Sequence, residues 1–526
     1  MVSEAQWNES QLGFLTQSSL VKRNYRRMQG LFSNLSHYQK FFQMILVLGI
    51  GGNLVVGYQI SVISYPSVYI KRFMNETWLE RSGAPLSEKT LLVLWSFAVS
   101  VYGIGGLLGC LCSGFLTVKY GKKKCQLSTD LLVILTSLVM VCSKRAKCFE
   151  MVLLGRFAYG ISAGFCLAIH SQYVGEISPK KWRGLANATS GFFWSLGKCL
   201  GQILGLREFL GTDLSWPLLL AFPGVVAFLQ LLFLPFFPES PPYLLIQEGD
   251  EEGCLKAMNQ LWGQGDHQEE LGELKKEMAP GGQRSKVLWP GELLYDASLR
   301  QQLIILMAVI VTVQLCGINA VYFYAFEVLH NAGLEERLIP YVCLGIGFSE
   351  LFSSFLCIFA IERYGRRPLL WKGCGSMALV LFFLTGTLSL QKNLSWMSLC
   401  SVILIFLLVI LFGVGPNGAT FSIMMEIFSQ SSRPAAFTVG GCLNWAGLFV
   451  VGIAFPFAEE SLGPFCFLLF ATVLSGSGIF FYLFLPETKG KSTVEITEEF
   501  SRSSLGKKLT VLRKNFSEDH SVYSSF

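Results

Sequence analysis

Charge is scarce in this chain: Asp, Glu, Lys and Arg supply 15% of its 526 residues, against roughly 25% in soluble domains. So little charge cannot cover several water-facing cores, which excludes an ordinary soluble protein and a disordered scaffold. A nucleic-acid binder is not expected from a chain so poor in charge either, and the modest net charge of +6 has to be read by its location. Only five histidines are present, and the fifteen cysteines form no CxxC pair. Neither a metal cluster nor a disulfide frame follows from that pattern, and thiols set in apolar runs read as small buried hydrophobes. No nucleophile with a paired base and no phosphate loop stands out, so the chain is not expected to be an enzyme, and no cofactor or metal is expected. No secretory leader opens it, because forty mostly polar residues, including Lys22, Arg23, Arg26 and Arg27, precede the first apolar run.

What is abundant is apolar: 52% of the residues are hydrophobic, with 43 Phe and 52 Gly. Twelve runs near twenty residues recur, at 41–64, 90–113, 126–143, 149–174, 187–206, 216–237, 301–326, 338–360, 368–389, 396–424, 435–457 and 463–485. Each is long enough to cross a hydrocarbon layer of ~30 Å, and backbone amides in lipid need partners within the segment, so helices are expected. The fold class is therefore an all-α membrane protein of twelve transmembrane helices, with the lipid bilayer as its solvent. Lys and Arg favour a cytoplasmic location for both termini, although Lys144, Arg145 and Lys147 oppose the rule. The organisation expected is a cytoplasmic tail (1–40), a six-helix bundle (41–237), a solvated cytoplasmic helical linker (238–300), a second six-helix bundle (301–485) and a cytoplasmic tail (486–526). Asn75-Glu76-Thr77, in the first outside loop, is the better N-glycosylation candidate; Asn8, Asn34, Asn187, Asn393 and Asn515 also head such triplets.

Three signatures occur twice in the same order. Lys119-Tyr120-Gly121-Lys122-Lys123 returns as Arg363-Tyr364-Gly365-Arg366-Arg367, the glycines 244 residues apart. Glu176 and Arg183 return as Glu426 and Arg433, 250 residues on. Pro238-Glu239-Ser240-Pro241 returns as Pro486-Glu487-Thr488-Lys489, 248 residues on. Matched spacing of this kind indicates parallel six-plus-six repeats, which in transporters rock about a central site. Basic clusters and acids at helix ends suit a cytoplasmic gate of Lys122, Lys123, Glu176, Arg183, Glu239, Arg366, Arg367, Glu426, Arg433 and Glu487, closed by carboxylate pairs that bridge the halves.

These motifs, with Gly155-Arg156, Gln314-Leu315-Cys316-Gly317-Ile318-Asn319-Ala320 and Arg433-Pro434-Ala435-Ala436, resemble those of the facilitative hexose transporters, sugar porters of the major facilitator superfamily. Asn75-Glu76-Thr77-Trp78, Trp216-Pro217-Leu218-Leu219-Leu220 and Gly415-Pro416-Asn417-Gly418-Ala419-Thr420 most resemble the fructose-transporting class. The resemblance covers about residues 40–495 and implies passive exchange of a hexose by alternating access. It implies that Gln314, Asn319, Phe421, Asn444 and Trp445 contact the sugar, and that Phe323 and Tyr324 close over it from outside. A hexose site wants amides, hydroxyls and an aromatic face, and no fixed charge. Glycine-rich breaks at Gly49–Gly52 and Gly317, with looser points at Gly160/Gly164 and Gly413/Gly415, place the site between helices and add Tyr58 and Gln59 as candidates.

Departures from the family pattern are Gly191, Val313 and Leu448 where amides are usual, Thr420 where a proline is common, and Pro242 where an arginine is usual. Three lost amides argue against a strictly glucose-selective site and toward fructose or a broader hexose range, with urate or another polar solute left open. Lys198 and Glu350 stand near mid-span, where a lone charge costs ~2.5–3.5 kcal/mol on insertion scales, so the two are expected to pair. Two other functions fit the chain. Proton-coupled symport would want an acid in the first span, yet residues 41–66 contain no Asp or Glu. A sugar sensor without turnover would want a longer tail. No nucleic acid and no obligate protein partner is expected, and the address expected is the plasma membrane.

Overall fold

The computed structural model describes residues 38–179, 182–277, 290–296, 299–391, 394, 396–428, 432–491 and 493–502. The N-terminal tail up to residue 37, Asn393, the side chain of Arg183 and the chain beyond Arg502 lie outside the described residues. Helices account for the regular structure, and no strand occurs among the described residues.

Among the described residues, ten stretches are long and apolar enough to cross a membrane. They are α1 (Gln39–Ser64), α2 (Glu88–Tyr120), α3 (Lys122–Arg145), α4 (Glu150–Ile177), α6 (Trp216–Phe236), α7 (Arg300–Phe323), α8 (Ile339–Ile361), α9 (Arg366–Leu390), α10 (Met397–Ile427) and the run Arg433–Phe484. That last run is two helices, α11 (Arg433–Leu462) and α12 (Cys466–Phe484). They are parted by a tight turn at Gly463, whose φ of 55° suits glycine. Between α4 and α6 lies α5 (Arg183–Leu204), diluted by Ser, Asn, Thr and Lys198 and so less apolar than its neighbours. These helices correspond one to one with the twelve apolar runs.

Glycine decides how close they pack. A Cβ at Gly105 or Gly109 of α2 would overlap the backbone of α4, and one at Gly160 or Gly164 would overlap the backbone of α2. The two helices therefore cross backbone on backbone, as small residues permit where lipid offers no hydrophobic drive. The expected loosening of α4 at these glycines is corrected: α4 runs unbroken, and its glycines make a seam. In the front set, α1–α6, α1 packs on α5 and α3 on α6; in the back set, α7–α12, α9 packs on α12 and α7 on α11. The two sets meet along α2–α11 and α5–α8.

The linker is less solvated than its acidity suggests. Helix Glu251–Trp262 buries Cys254, Met258 and Leu261 against Phe41, Met44, Tyr173 and Ile177, and the Trp262 indole donates to the Ile177 carbonyl (2.8 Å). Acids on the outer face made the segment read as polar throughout, but its four-residue apolar spacing supplies a docking stripe. The helix Thr493–Arg502 likewise buries Ile496 and Phe500 beside the end of α10.

Candidate functional site

The duplicated charged motifs share one end of the bundle, and each is a knot within its own set. Gly121 and Gly365 take φ of 85° and 87°, so the chain turns sharply from α2 into α3 and from α8 into α9. The Glu239 carboxylate accepts from the Lys123 backbone N–H (3.1 Å), and Glu487 accepts from those of Arg366 (3.0 Å) and Arg367 (3.2 Å). An acid thus caps the exposed amides of each following helix, where the helix dipole favours negative charge. Lys122 pairs with Glu176 (2.8 Å), which Ser240 also reaches; Arg366 grips Glu426 through Nε (3.0 Å) and Nη2 (2.7 Å), and Thr488 donates to it (2.5 Å). Lys123 Nζ donates to the Pro235 and Phe237 carbonyls at the end of α6, and Arg367 to the Tyr482 carbonyl near the end of α12.

The two acid–base pairs just named, Lys122–Glu176 and Arg366–Glu426, each join elements of one set. Arg433 donates to the Phe428 carbonyl (3.1 Å). The gate role of Arg183 rests on a side chain outside the described residues.

Burial lifts the Glu239 carboxyl above the ordinary carboxylate range, outweighing its backbone hydrogen bonds and Lys122. The folded state then holds more proton than the unfolded one between the two values, so this group contributes stability that is full in acid and lost as pH rises through the folded value. Replacing Glu239 by Gln is expected to remove that slope from thermal unfolding as pH is raised above the ordinary carboxylate range. Glu239→Ala is expected to cost about 1 kcal/mol through the lost cap.

Toward the middle of the bundle a cavity of about 70 Å³ lies between the two sets. Its lining includes Gln314 and Asn319 from α7, Phe421 from α10, Asn444 from α11 and, unforeseen as a lining residue, Lys198 from α5. On an unbroken helix Gln314 and Asn319 would point about 140° apart. Here α7 breaks between Gln314 and Ile318 at Gly317, whose φ is 88°. The break lets the Asn319 Nδ2 donate to Gln314 Oε1 (2.8 Å), while Gln314 Nε2 donates to Asn444 Oδ1 (2.6 Å). Gly447 leaves room for the Gln314 side chain, which a Cβ there would overlap. The Asn444 Nδ2 is buried and has no protein partner. A donor so placed, beside an aromatic and two further amides, is suited to a hydroxylated solute.

Val313, Leu448 and Thr420, three of the departures, also line this cavity. The wide turn of α10 at Gly413–Asn417 brings Asn417 into its wall.

Three candidates stand elsewhere and are corrected. The Tyr58 hydroxyl donates to the Leu219 carbonyl (2.7 Å), and its ring packs on Phe222. Gln59 serves Arg156, whose Nη1 donates to both the Gln59 carbonyl and Oε1 (2.9 Å each). Arg156 also stacks on Tyr102; a fully buried guanidinium needs those acceptors, and that need draws Gln59 away from the cavity. Trp445 lies against Tyr102 (5.4 Å between rings) over Gly106, sealing α2 to α11, and is not among the cavity-lining residues.

At the end opposite the charged knots, Phe323 and Tyr324 are buried. The Tyr324 hydroxyl donates to the Gly452 carbonyl, and its ring stacks on Phe455. Front and back sets are tied there by Lys71–Glu327 (3.0 Å), Tyr65 to the Pro340 carbonyl (3.0 Å) and Tyr341 to Glu208 (2.6 Å). Asn75 stands in the helix Ser67–Ser82, accepting from the Leu86 N–H (2.9 Å), with Thr77 buried. The outside loop expected for this triplet is therefore corrected to a helix, since the apolar positions Ile70, Phe73 and Met74 give it a face to bury.

Lys198 and Glu350 meet across the α5–α8 seam, Nζ to Oε1 2.8 Å and to Oε2 3.1 Å.

Comparison with known proteins follows from this architecture. Residues 44–500 match the family model described as sugar (and other) transporter. Over 458 residues the chain is 41% identical to the human solute carrier family 2, facilitated glucose transporter member 11, covering 87% of this chain and 92% of that one. It is 40% identical to mouse member 9 (87% and 85% covered) and 37% identical to mouse member 5 (87% and 91%). Among solved structures, the proton:xylose symporter XylE bound to 6-bromo-6-deoxy-D-glucose aligns with a TM-score of 0.73 at 20% identity, over 88% of this chain and 99% of that one. The partially occluded inward-open XylE from E. coli aligns at 0.71 and 21% identity, over 86% and 100%. These structures share the major facilitator fold, and the match over nearly the whole membrane region places the chain in the family of sugar (and other) transporters.

Proposed function

We propose that this protein passes a hexose, fructose or glucose or both, passively across a membrane by alternating access. The observation that carries the reading is the amide cluster Gln314–Asn319–Asn444 beside Phe421, with the Asn444 Nδ2 left to donate. Relatives named as facilitated glucose transporters support it. In this reading 41–237 and 301–485 are the two rocking bundles, both termini and the charged knots face the cytoplasm, and the address is the plasma membrane. The knots make each bundle rigid at its cytoplasmic end, so the bundles move as bodies. The tied opposite end, with Phe323 and Tyr324 packed, corresponds to a cavity closed toward the outside. The partners are then the sugar and the bilayer.

Purified protein in liposomes is expected to show counterflow of labelled fructose or glucose with no ion gradient, saturable and competed by unlabelled sugar. Proton-coupled symport is the second reading, favoured by the carboxylate of Glu350 close behind the cavity wall. Accumulation of sugar above equilibrium under an imposed pH gradient would establish it and sink the passive one. Binding without counterflow would indicate a sensor.

A further inference from the structure

Of the residues lining the central cavity, Lys198 alone carries a formal charge. Its carboxylate partner is not in the wall: Glu350 is fully buried behind it on α8 and also accepts from Ser195 Oγ (3.2 Å). Ser195 shares a hydrogen bond with Ser354 (2.9 Å), to which Asn417 of the cavity wall donates (3.4 Å). The Lys198 ammonium also lies 4.2 Å from the centre of the Tyr322 ring. An ion pair this deep is often no more stable than a well-packed apolar pair, so packing alone gives little reason for it. What it does supply is an asymmetry of charge: Lys198 contributes to the cavity lining, while Glu350 does not.

We propose that the Lys198–Glu350 pair sets the charge class of solute that the cavity accepts, by presenting a compensated cation to it. Resting on the hexose reading above, this assigns a specificity role to a residue outside the amide cluster. With Glu350 ionised the wall is neutral overall, its N–H groups favour hydroxyl oxygens, and neutral sugars are taken. Without that countercharge the wall becomes cationic and favours sugars bearing a carboxylate. Exchanging the two residues puts the carboxylate at the cavity and favours sugars bearing an ammonium group.

The test is a set of uptake ratios in liposomes, measured for full-length wild type, Glu350→Gln, the charge-exchanged Lys198→Glu/Glu350→Lys and the uncharged Lys198→Met/Glu350→Gln. The probes are labelled fructose, glucuronate and glucosamine. Glu350→Gln is expected to raise the glucuronate-to-fructose ratio about tenfold, the size a modest charge–charge contact supports. The exchanged protein, which keeps a pair and so keeps its packing, is expected to raise the glucosamine-to-fructose ratio by a similar factor. The uncharged pair is expected to leave the glucuronate-to-fructose and glucosamine-to-fructose ratios at their wild-type values, whatever its absolute rate of uptake. Wild-type ratios in both Glu350→Gln and the exchanged protein overturn the proposal, as does loss of all uptake in every variant, which would make the pair purely structural. Absence of fructose or glucose counterflow in the wild type would instead sink the hexose reading, so the two failures are told apart.

Discussion

Gln314→Ala is expected to raise the KM for hexose counterflow by about 30- to 100-fold, the equivalent of ~2–3 kcal/mol. The side chain is hydrogen-bonded at both ends, giving to Asn444 Oδ1 and accepting from Asn319 Nδ2. On the proposed reading, truncation removes a contact with the sugar and leaves two neighbouring amides, Asn319 and Asn444, without the hydrogen bonds that orient them. The cost is therefore more than one hydrogen bond. Asn319→Ala removes one link of the chain and is expected to weaken counterflow by about 5- to 10-fold. Equilibrium exchange over a range of sugar concentrations checks both. A variant that melts earlier yet keeps its KM would show that the cluster serves packing rather than recognition.

Gly160→Val is expected to destabilise the protein by more than about 3 kcal/mol, at the upper end of overpacking effects. A Cβ at this position would overlap the Tyr102 carbonyl of α2, and backbone cannot turn aside as a flexible side chain can. The branched side chain would force α2 and α4 apart along their closest seam. Gly375→Ala on α9 is the control: nothing lies within 4 Å of its added Cβ. There the gain in helix propensity is expected to leave stability unchanged or raised by up to ~1 kcal/mol. Heating detergent-solubilised protein and following the monodisperse fraction by size exclusion separates the two outcomes.

The crossings were legible because lipid imposes one rule on every segment: twenty apolar residues with all amides satisfied internally. The duplicated loops were legible for a different reason, since a positive-φ glycine followed by two cations leaves the same trace each time. Their partners were not. Glu239 and Glu487 looked like ion-pair acids, but each caps backbone amides that any sequence would expose at that turn. Gln59 and Trp445 show the same limit. Both carry chemistry suited to a sugar, and both are claimed by a neighbour more than forty residues distant, Arg156 for one and the Gly106 groove for the other.

Composition and periodicity alone determined that this is a helical membrane protein with a repeated plan, because solvent acts on each segment independently and leaves a local record. Tertiary structure alone decided which polar side chains face the cavity. It let Gln314 and Asn319 meet by breaking α7 at Gly317, and it set Lys198 in the wall with Glu350 behind it. Those outcomes depend on competition among distant partners for a few hydrogen bonds, and such competition has no local trace.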